Sequence, residues 1–294
     1  MSTGLETESK MIISIASGKG GTGKTTVATN LAGALGKDVL LLDCDVEEPN
    51  AHLFMKPVYD TSEDFNVEIP VVDDDKCTYC GKCAEICQFK AIAVLPETVL
   101  MFPELCHSCG GCFEVCPEDA LSRGPRNIGI VEKGRVNGVK FVHGRLRIGE
   151  AMSPPLITAV RSHASSYGLT IIDAPPGTSC PVITAMRGTD FVLMVTEPTP
   201  FGLHDLKLAV EAVKILGIPC GLIINRSDMG TDDTEDYARQ EKIPILMKIP
   251  FERRIAEAYS HGRLIVEAFP EWKEKFRALP GAIENIIAGG VDPG

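Results

Sequence analysis

Two cysteine runs limit how this chain can fold more than any other feature of its sequence. Cys77-x2-Cys80-x2-Cys83-x3-Cys87 is followed by Cys106-x2-Cys109-x2-Cys112-x3-Cys116-Pro117. Cys77–Ile92 (CTYCGKCAEICQFKAI) aligns with Cys106–Leu121 (CHSCGGCFEVCPEDAL) at a period of 29 residues, so the runs form an internal repeat. They use eight of the eleven cysteines, and a chain of 294 residues is too long to be a small disulfide scaffold. Metal ligation is the better reading. In this spacing three thiolates of one run and the last thiolate of the other surround one cubane. Cys77, Cys80, Cys83 and Cys116 are then expected on one [4Fe-4S] cluster, and Cys106, Cys109, Cys112 and Cys87 on a second. C-x2-C pairs also build zinc sites, but two complete runs of this form follow the cubane pattern. Gln88 stands in the first run where Pro117 stands in the second, and its N–H makes the two environments inequivalent. His107 reads as a surface loop residue beside a ligand.

A phosphate-binding loop lies upstream. Met11–Ser17 (MIISIAS) is a short apolar run that reads as a buried parallel strand. It leads into Gly18-Lys19-Gly20-Gly21-Thr22-Gly23-Lys24-Thr25-Thr26, and helical spacing follows to Leu35. Glycines let backbone N–H groups turn inward and approach an anion closely. The helix start adds its dipole. Lys24 is expected on the β and γ phosphates, and Thr25 on Mg²⁺.

The bulk numbers exclude some classes. No run of 18 or more apolar residues suggests a membrane helix. A net charge of −11 disfavours nucleic acid and anionic lipid as partners. The charge is uneven: residues 57–127 hold 13 acidic against 5 basic residues. A redox partner protein is therefore expected to present a basic surface. Met1–Lys10 is polar, without a signal peptide's apolar core, and reads as a short disordered leader of a cytoplasmic protein.

Strand and helix signals alternate outside the cysteine region. Val39–Asp43, Leu169–Asp173, Phe191–Thr196, Cys220–Asn225 and Ile245–Ile249 read as buried strands, with helices between them. Ile128–Ile148 alternates around glycines and reads as short antiparallel strands. The expected fold class is α/β, a mostly parallel P-loop NTPase sheet with an inserted α+β module. The boundaries are 1–56 and 128–294 for the nucleotide domain and 57–127 for the insert. The helical spacing of Trp272, Phe276, Leu279 and Ile283 is interrupted at Pro280-Gly281 and lacks a basic bias. Docking onto the core is expected rather than membrane binding.

Taken in order, four segments resemble one family. KGGTGKTT, with Lys19 ahead of the glycines, resembles the deviant Walker A loop of the MinD/ParA/nitrogenase-iron-protein class of ATPases. Leu41-Leu42-Asp43-Cys44-Asp45 resembles its first switch, Asp173-Ala174-Pro175-Pro176-Gly177 its Walker B and second switch, and Ile224-Asn225-Arg226 its adenine-reading segment. The insert resembles a two-cluster bacterial ferredoxin. The resemblance implies a cytoplasmic homodimer, or a heterodimer with a paralogue, that hydrolyses ATP with Mg²⁺ when two subunits close. By position, Lys19 would reach a phosphate across the interface and Asp45 would polarise the attacking water. Asp43 and Asp173 would act around Mg²⁺, Asn225 would bond the base, and Pro250 would border it. Coupling of nucleotide state to electron transfer is the leading expectation. An iron–sulfur carrier or assembly ATPase and a nucleotide-switched scaffold are alternatives. A P-loop amide ligase lacks room for its glutaminase domain. Cys180 invites comparison with a subunit-bridging cluster ligand of the nitrogenase iron protein. The second cysteine of that arrangement is missing, so Cys180 reads as a packed thiol, and Cys44 and Cys220 as core.

Overall fold

A computed structural model describes residues 10–166 and 168–289, so nine of the ten residues expected as a leader lie outside the described residues. The chain forms two compact units. Met1–Ser62, Val131–Arg145 and Ile157–Gly294 make the first, and Glu63–Ile130 with Leu146–Leu156 the second.

The chain opens with β1 (Met11–Ala16), α1 (Lys24–Leu35), β2 (Val39–Asp43), α2 (Ala51–Met55) and the long β3 (Val58–Val72). The cysteine region holds α3 (Lys82–Ile86), the hairpin β4 (Ile92–Leu95) and β5 (Thr98–Met101), and α4 (Gly111–Glu114). Strands β6 (Leu121–Val136) and β7 (Val139–Leu146) lead to α5 (Pro154–Arg161). The alternation then resumes with β8 (Leu169–Asp173), α6 (Cys180–Met186), β9 (Phe191–Thr196), α7 (Pro200–Ile215), β10 (Cys220–Asn225), α8 (Asp233–Gln240) and β11 (Ile245–Ile249). Four short helices close the chain: α9 (Arg253–Ser260), α10 (Ile265–Ala268), α11 (Pro270–Arg277) and α12 (Leu279–Ala288).

Nine strands form a sheet in the order β11-β10-β9-β1-β8-β2-β7-β6-β3. From β11 to β7 the strand pairings are all parallel. Near-continuous apolar runs account for this, because strands covered on both faces need no polar side. Every residue of β2 and β9 is buried. The register matters for function: Asp43 pairs with Asp173, and Asp173 with Ile15. Two strands thus end at one level, with a carboxylate on each.

Strand β3 was not expected. Its first seven residues are exposed, so buried alternation marks only its second half, over Phe65-Asn66-Val67-Glu68-Ile69. β6 also begins earlier than the alternating run suggests. Between β6 and β7, Asn137 and Gly138 have φ of 49° and 88°, the signature of a two-residue type I′ hairpin turn.

Expected docking of the C-terminal helices is observed. Trp272, Phe276, Leu279 and Ile283 are buried in the same cluster as Leu31 and Val27 of α1. Asn30 Oδ1 accepts from the Val266 N–H at 3.0 Å, and Arg277 Nε donates to the Ala34 carbonyl at 2.9 Å. Among the described residues no helix is long and apolar enough to cross a membrane. Phe276→Ala is expected to cost about 3–5 kcal/mol, read as a lower denaturation midpoint by the fluorescence of the single tryptophan, Trp272. An unchanged midpoint would show that these helices do not hold the core together.

Candidate functional site

The loop between β1 and α1 lines a cleft of about 420 Å³. Gly20, Gly21, Gly23, Lys24, Thr25 and Thr26 form one wall, and Asp45, Asn225 and Pro250 face them from other elements. Gly23 takes φ +98°, and a Cβ there would come within 2.5 Å of Asn225 Nδ2. That nitrogen donates to the Thr22 carbonyl at 2.9 Å. Asn225 therefore braces the loop as well as lining the cleft. Gly18 lies against the Asp205 carbonyl, and Thr22 is buried with its hydroxyl unpartnered.

Lys24 is buried, and its Nζ lies 3.9 Å from both Asp45 Oδ2 and Asp173 Oδ1. One ammonium thus stands between two carboxylates. Asp173 is fully buried, and neither of its oxygens accepts a hydrogen bond. Burial raises its carboxyl, while Lys24 and the nearby Thr25 hydroxyl pull it back. Asp43 differs in setting: its oxygens accept from the Asp45 and Ala51 N–H groups, each at 3.1 Å. Burial, then the adjacent Asp173 charge, push Asp43 well above the usual carboxylate range. Asp45 rises to about 6, through burial opposed by Lys24. A buried carboxylate beside Lys24, a threonine hydroxyl and a phosphate loop suits a hydrated divalent cation.

Lys19 does not line the cleft. Its Nζ contacts Glu197 Oε1 at 2.6 Å, and Glu197 Oε2 accepts from Arg226 at 3.0 Å. Sequence reasoning missed Glu197, a lone carboxylate after β9 that matches no motif. It also missed Phe251, Ile255 and Tyr259, which line the cleft beyond Pro250. Their position depends on how the segment after β11 returns to the loop.

The second unit holds the cysteine runs. Cys77, Cys80, Cys83 and Cys116 line one cavity, and Cys87, Cys106, Cys109 and Cys112 line another. The runs cross, each sending its last cysteine to the other's cavity. Cys87 Sγ accepts from the Ala91 N–H and Cys116 Sγ from the Ala120 N–H, both at 3.3 Å, so the repeat extends to its hydrogen bonds. Burial raises the Cys112 thiol to about 11, with the Cys106 thiol the next cause. Among the described residues no three His, Cys, Asp or Glu side chains are placed to hold a single metal ion. A tetrahedral zinc site would need four sulfurs within about 2.3 Å of one point. The four thiols lining each cavity are donors there that could hold a metal group. His107 is exposed, but it stacks on Phe89 with ring centroids 3.6 Å apart, and both line the second cavity.

The remaining cysteines divide. Cys44 is buried and Cys220 partly so. Cys180, expected to be packed, is exposed. It begins α6, whose buried face is Val182, Ala185 and Met186, and so it falls outside the packed face.

Comparison with known proteins places this geometry. The family model described as the CobQ/CobB/MinD/ParA nucleotide binding domain matches residues 13–265. An uncharacterized protein of Methanocaldococcus jannaschii is 34% identical over 283 residues, covering 94% of this chain and 98% of that protein. An iron-sulfur cluster carrier protein of Pyrococcus horikoshii is 27% identical over 298 residues, covering 90% of this chain and 85% of that protein. The solved structure of the septum site-determining protein MinD from Pyrococcus horikoshii, complexed with Mg-ADP, shares the fold. Its TM-score is 0.58 at 23% identity, over 96% of this chain and 98% of that one.

Two outcomes are expected from this geometry. Gly23→Ala combines a strained φ with a clash against Asn225 and is expected to weaken nucleotide binding by at least tenfold in calorimetry. Near-native affinity would mean that the loop tolerates a side chain there. Asp45 is raised from 3.8 to about 6 in the fold, so between those values the native state holds a proton that the unfolded chain has lost. Its contribution to stability is then full below about 4 and is lost as pH rises through about 6. Denaturation midpoints of the ligand-free protein are expected to fall over that window, and Asp45→Asn to flatten the fall. An identical pH profile in Asp45→Asn would contradict the assignment.

Proposed function

Because the chain belongs to the CobQ/CobB/MinD/ParA nucleotide-binding domain family, we propose that it is a Mg²⁺-dependent ATPase whose nucleotide state is coupled to electron transfer through two [4Fe-4S] clusters. The observation that carries this reading is the division of eight cysteines between two cavities in crossed sets of four, in a chain that also forms a phosphate-loop cleft. Ferredoxin-type ligation uses this crossing. Cys77, Cys80, Cys83 and Cys116 hold one group, and Cys106, Cys109, Cys112 and Cys87 the other, within a ferredoxin-like module built around residues 57–127. Bound clusters supply one-electron storage.

The chain's own residues divide the phosphoryl work. Gly20, Gly21 and Gly23 turn the loop backbone around the phosphates, and Lys24 neutralises their charge. Thr25 and Asp173 would hold Mg²⁺, which would supply charge neutralisation at the phosphates, and Asp43 holds the first-switch backbone. Asp45 orients the attacking water. Asn225 and Pro250 border the base. Phosphoryl transfer leaves a protein mainly positioning and charge stabilisation to supply. Lys19 supplies charge to a second copy when two subunits close. In one chain it rests on Glu197, which keeps that charge away from its own cleft.

A second reading, that clusters are cargo delivered to other proteins, draws on the relative named an iron-sulfur cluster carrier protein. Transfer of cluster from the holo-protein to an apo-protein separates the two. Retention supports electron transfer, and rapid stoichiometric transfer supports delivery.

Lys19→Ala is expected to bind ATP with near-native affinity and to lose at least tenfold in turnover. Hydrolysis at the native rate would defeat the trans-lysine role. Anaerobic protein is expected to carry about eight irons per chain and EPR signals that respond to ATP and Mg²⁺. Signals indifferent to nucleotide would leave the two activities uncoupled.

A further inference from the structure

The two thiol cavities are related by the sequence repeat, yet their charged surroundings differ in sign. Around the second cavity the charges include three arginines. Arg126 is buried and donates to both oxygens of Glu150, and its Nη2 also donates to the backbone carbonyl of Cys106 at 3.3 Å. Arg147 lies 3.8 Å from the same Glu150 carboxylate. Arg123 stacks 4.5 Å over the ring of Phe113, which lines the cavity, and pairs at 2.7 Å with Glu68, which lines it too. Three positive charges therefore meet two negative ones beside Cys87, Cys106, Cys109 and Cys112.

Around the first cavity acids outnumber bases: Lys76 and Lys82 precede Cys77 and Cys83, and Lys76 pairs with Asp73 at 3.3 Å. Glu118 lines it directly. Tyr79, also in its wall, lies within the influence of Asp74, Asp75 and Glu97. One repeat length of 29 residues before Arg126 stands Glu97. Both lie five residues past the aligned repeat, Arg126 buried within β6 and Glu97 exposed in the turn between β4 and β5.

We propose that Arg126 is a positioning residue of the second thiol set and that the Arg126–Glu150 clamp makes this set the higher-potential of the two cluster sites. The inference rests on the cluster reading given under Proposed function. An electron added to a thiolate-ligated cluster adds negative charge, so nearby cations favour the reduced form and nearby carboxylates oppose it. Net charge and hydrogen bonding are recognised controls of cluster potential, and the attraction grows where water is excluded. Arg126 acts in two ways. It fixes the backbone of the Cys106 ligand through the carbonyl, and it places positive charge within a buried network. Glu150 belongs to Leu146–Leu156, the segment that the second unit takes from the chain on its way to α5. An electron entering this module settles on the Cys87/Cys106/Cys109/Cys112 side.

Anaerobic redox titration of the full-length holo-protein, followed by EPR with iron quantified, tests this. Wild type is expected to show two separable reduction steps. Arg126→Gln is expected to lower the higher-potential step and leave the other in place, and Arg126→Lys to retain most of the native separation. Glu97→Gln alters an exposed position and is expected to raise only the lower-potential step, which keeps the assignment testable if Arg126→Gln does not fold. A single unresolved step in wild type would overturn the assignment. So would an Arg126→Gln effect on the lower step, a Glu97→Gln effect on the higher step, or no movement in any variant. Wild-type protein lacking cubane signals altogether would overturn the functional reading itself, and this inference with it.

Discussion

The nucleotide cleft depends on a buried ammonium held among carboxylates. Lys24 cannot be placed at the mouth of an apolar sheet alone, because an unpaired buried charge is among the most expensive features a fold can carry. Asp173 and Asp45 answer it at 3.9 Å each. They reach the same level because β1, β8 and β2 are parallel and in a register that pairs Ile15 with Asp173 and Asp173 with Asp43. Two acids thus face one cation with Asp43 alongside, and burial raises all three carboxyls, with the Asp173 charge adding to the rise at Asp43 and Asp45. A divalent cation would favour the ionised form of these buried acids. The same constraint explains the divided labour of the two strand ends. Asp43 gives its oxygens to backbone amides, and Asp173 keeps both of its own free of hydrogen bonds.

The second unit rests on a different constraint. Its buried apolar residues are few: Ala91, Ile92, Cys112 and Ala120 in the repeat, with Val67, Ile128 and Leu156 beside it. A module of this size buries too little apolar area to be comfortably stable from its core alone. Two groups, each binding four thiolates contributed by both halves, would join the halves where the core does not. Metal-binding free energy is then folding free energy. The crossed lining of the two cavities is the geometric form of that dependence.

Legibility followed the reach of each signal along the chain. β1, the phosphate loop and α1 announced themselves through a contiguous apolar run, glycines and helical spacing. β3 did not, because its first half faces solvent and only the short stretch Phe65–Ile69 alternates, inside a region dominated by the cysteine repeat. The Asn137–Gly138 turn was readable in principle, since that dipeptide favours the positive φ values observed there. The docking of Trp272 and Phe276 on α1 followed from their helical spacing and the lack of a basic bias. The exposure of Cys180 did not, because a helix start and a buried face look alike in a short segment.

The sequence by itself determined the chemistry available: a phosphate loop with two lysines, acids at strand ends, and eight thiols in a repeated pattern. These are short-range patterns, and short-range patterns survive without a fold. Only the tertiary structure decided which groups meet. It turned Lys19 onto Glu197 across 178 residues of chain, set Asn225 against the loop across 203, and brought Glu150 to Arg126 beside the Cys106 backbone. Such pairings depend on strand order, register and the path of connecting segments. Spacing along the chain cannot encode them, because the energies that select them arise only when distant elements pack.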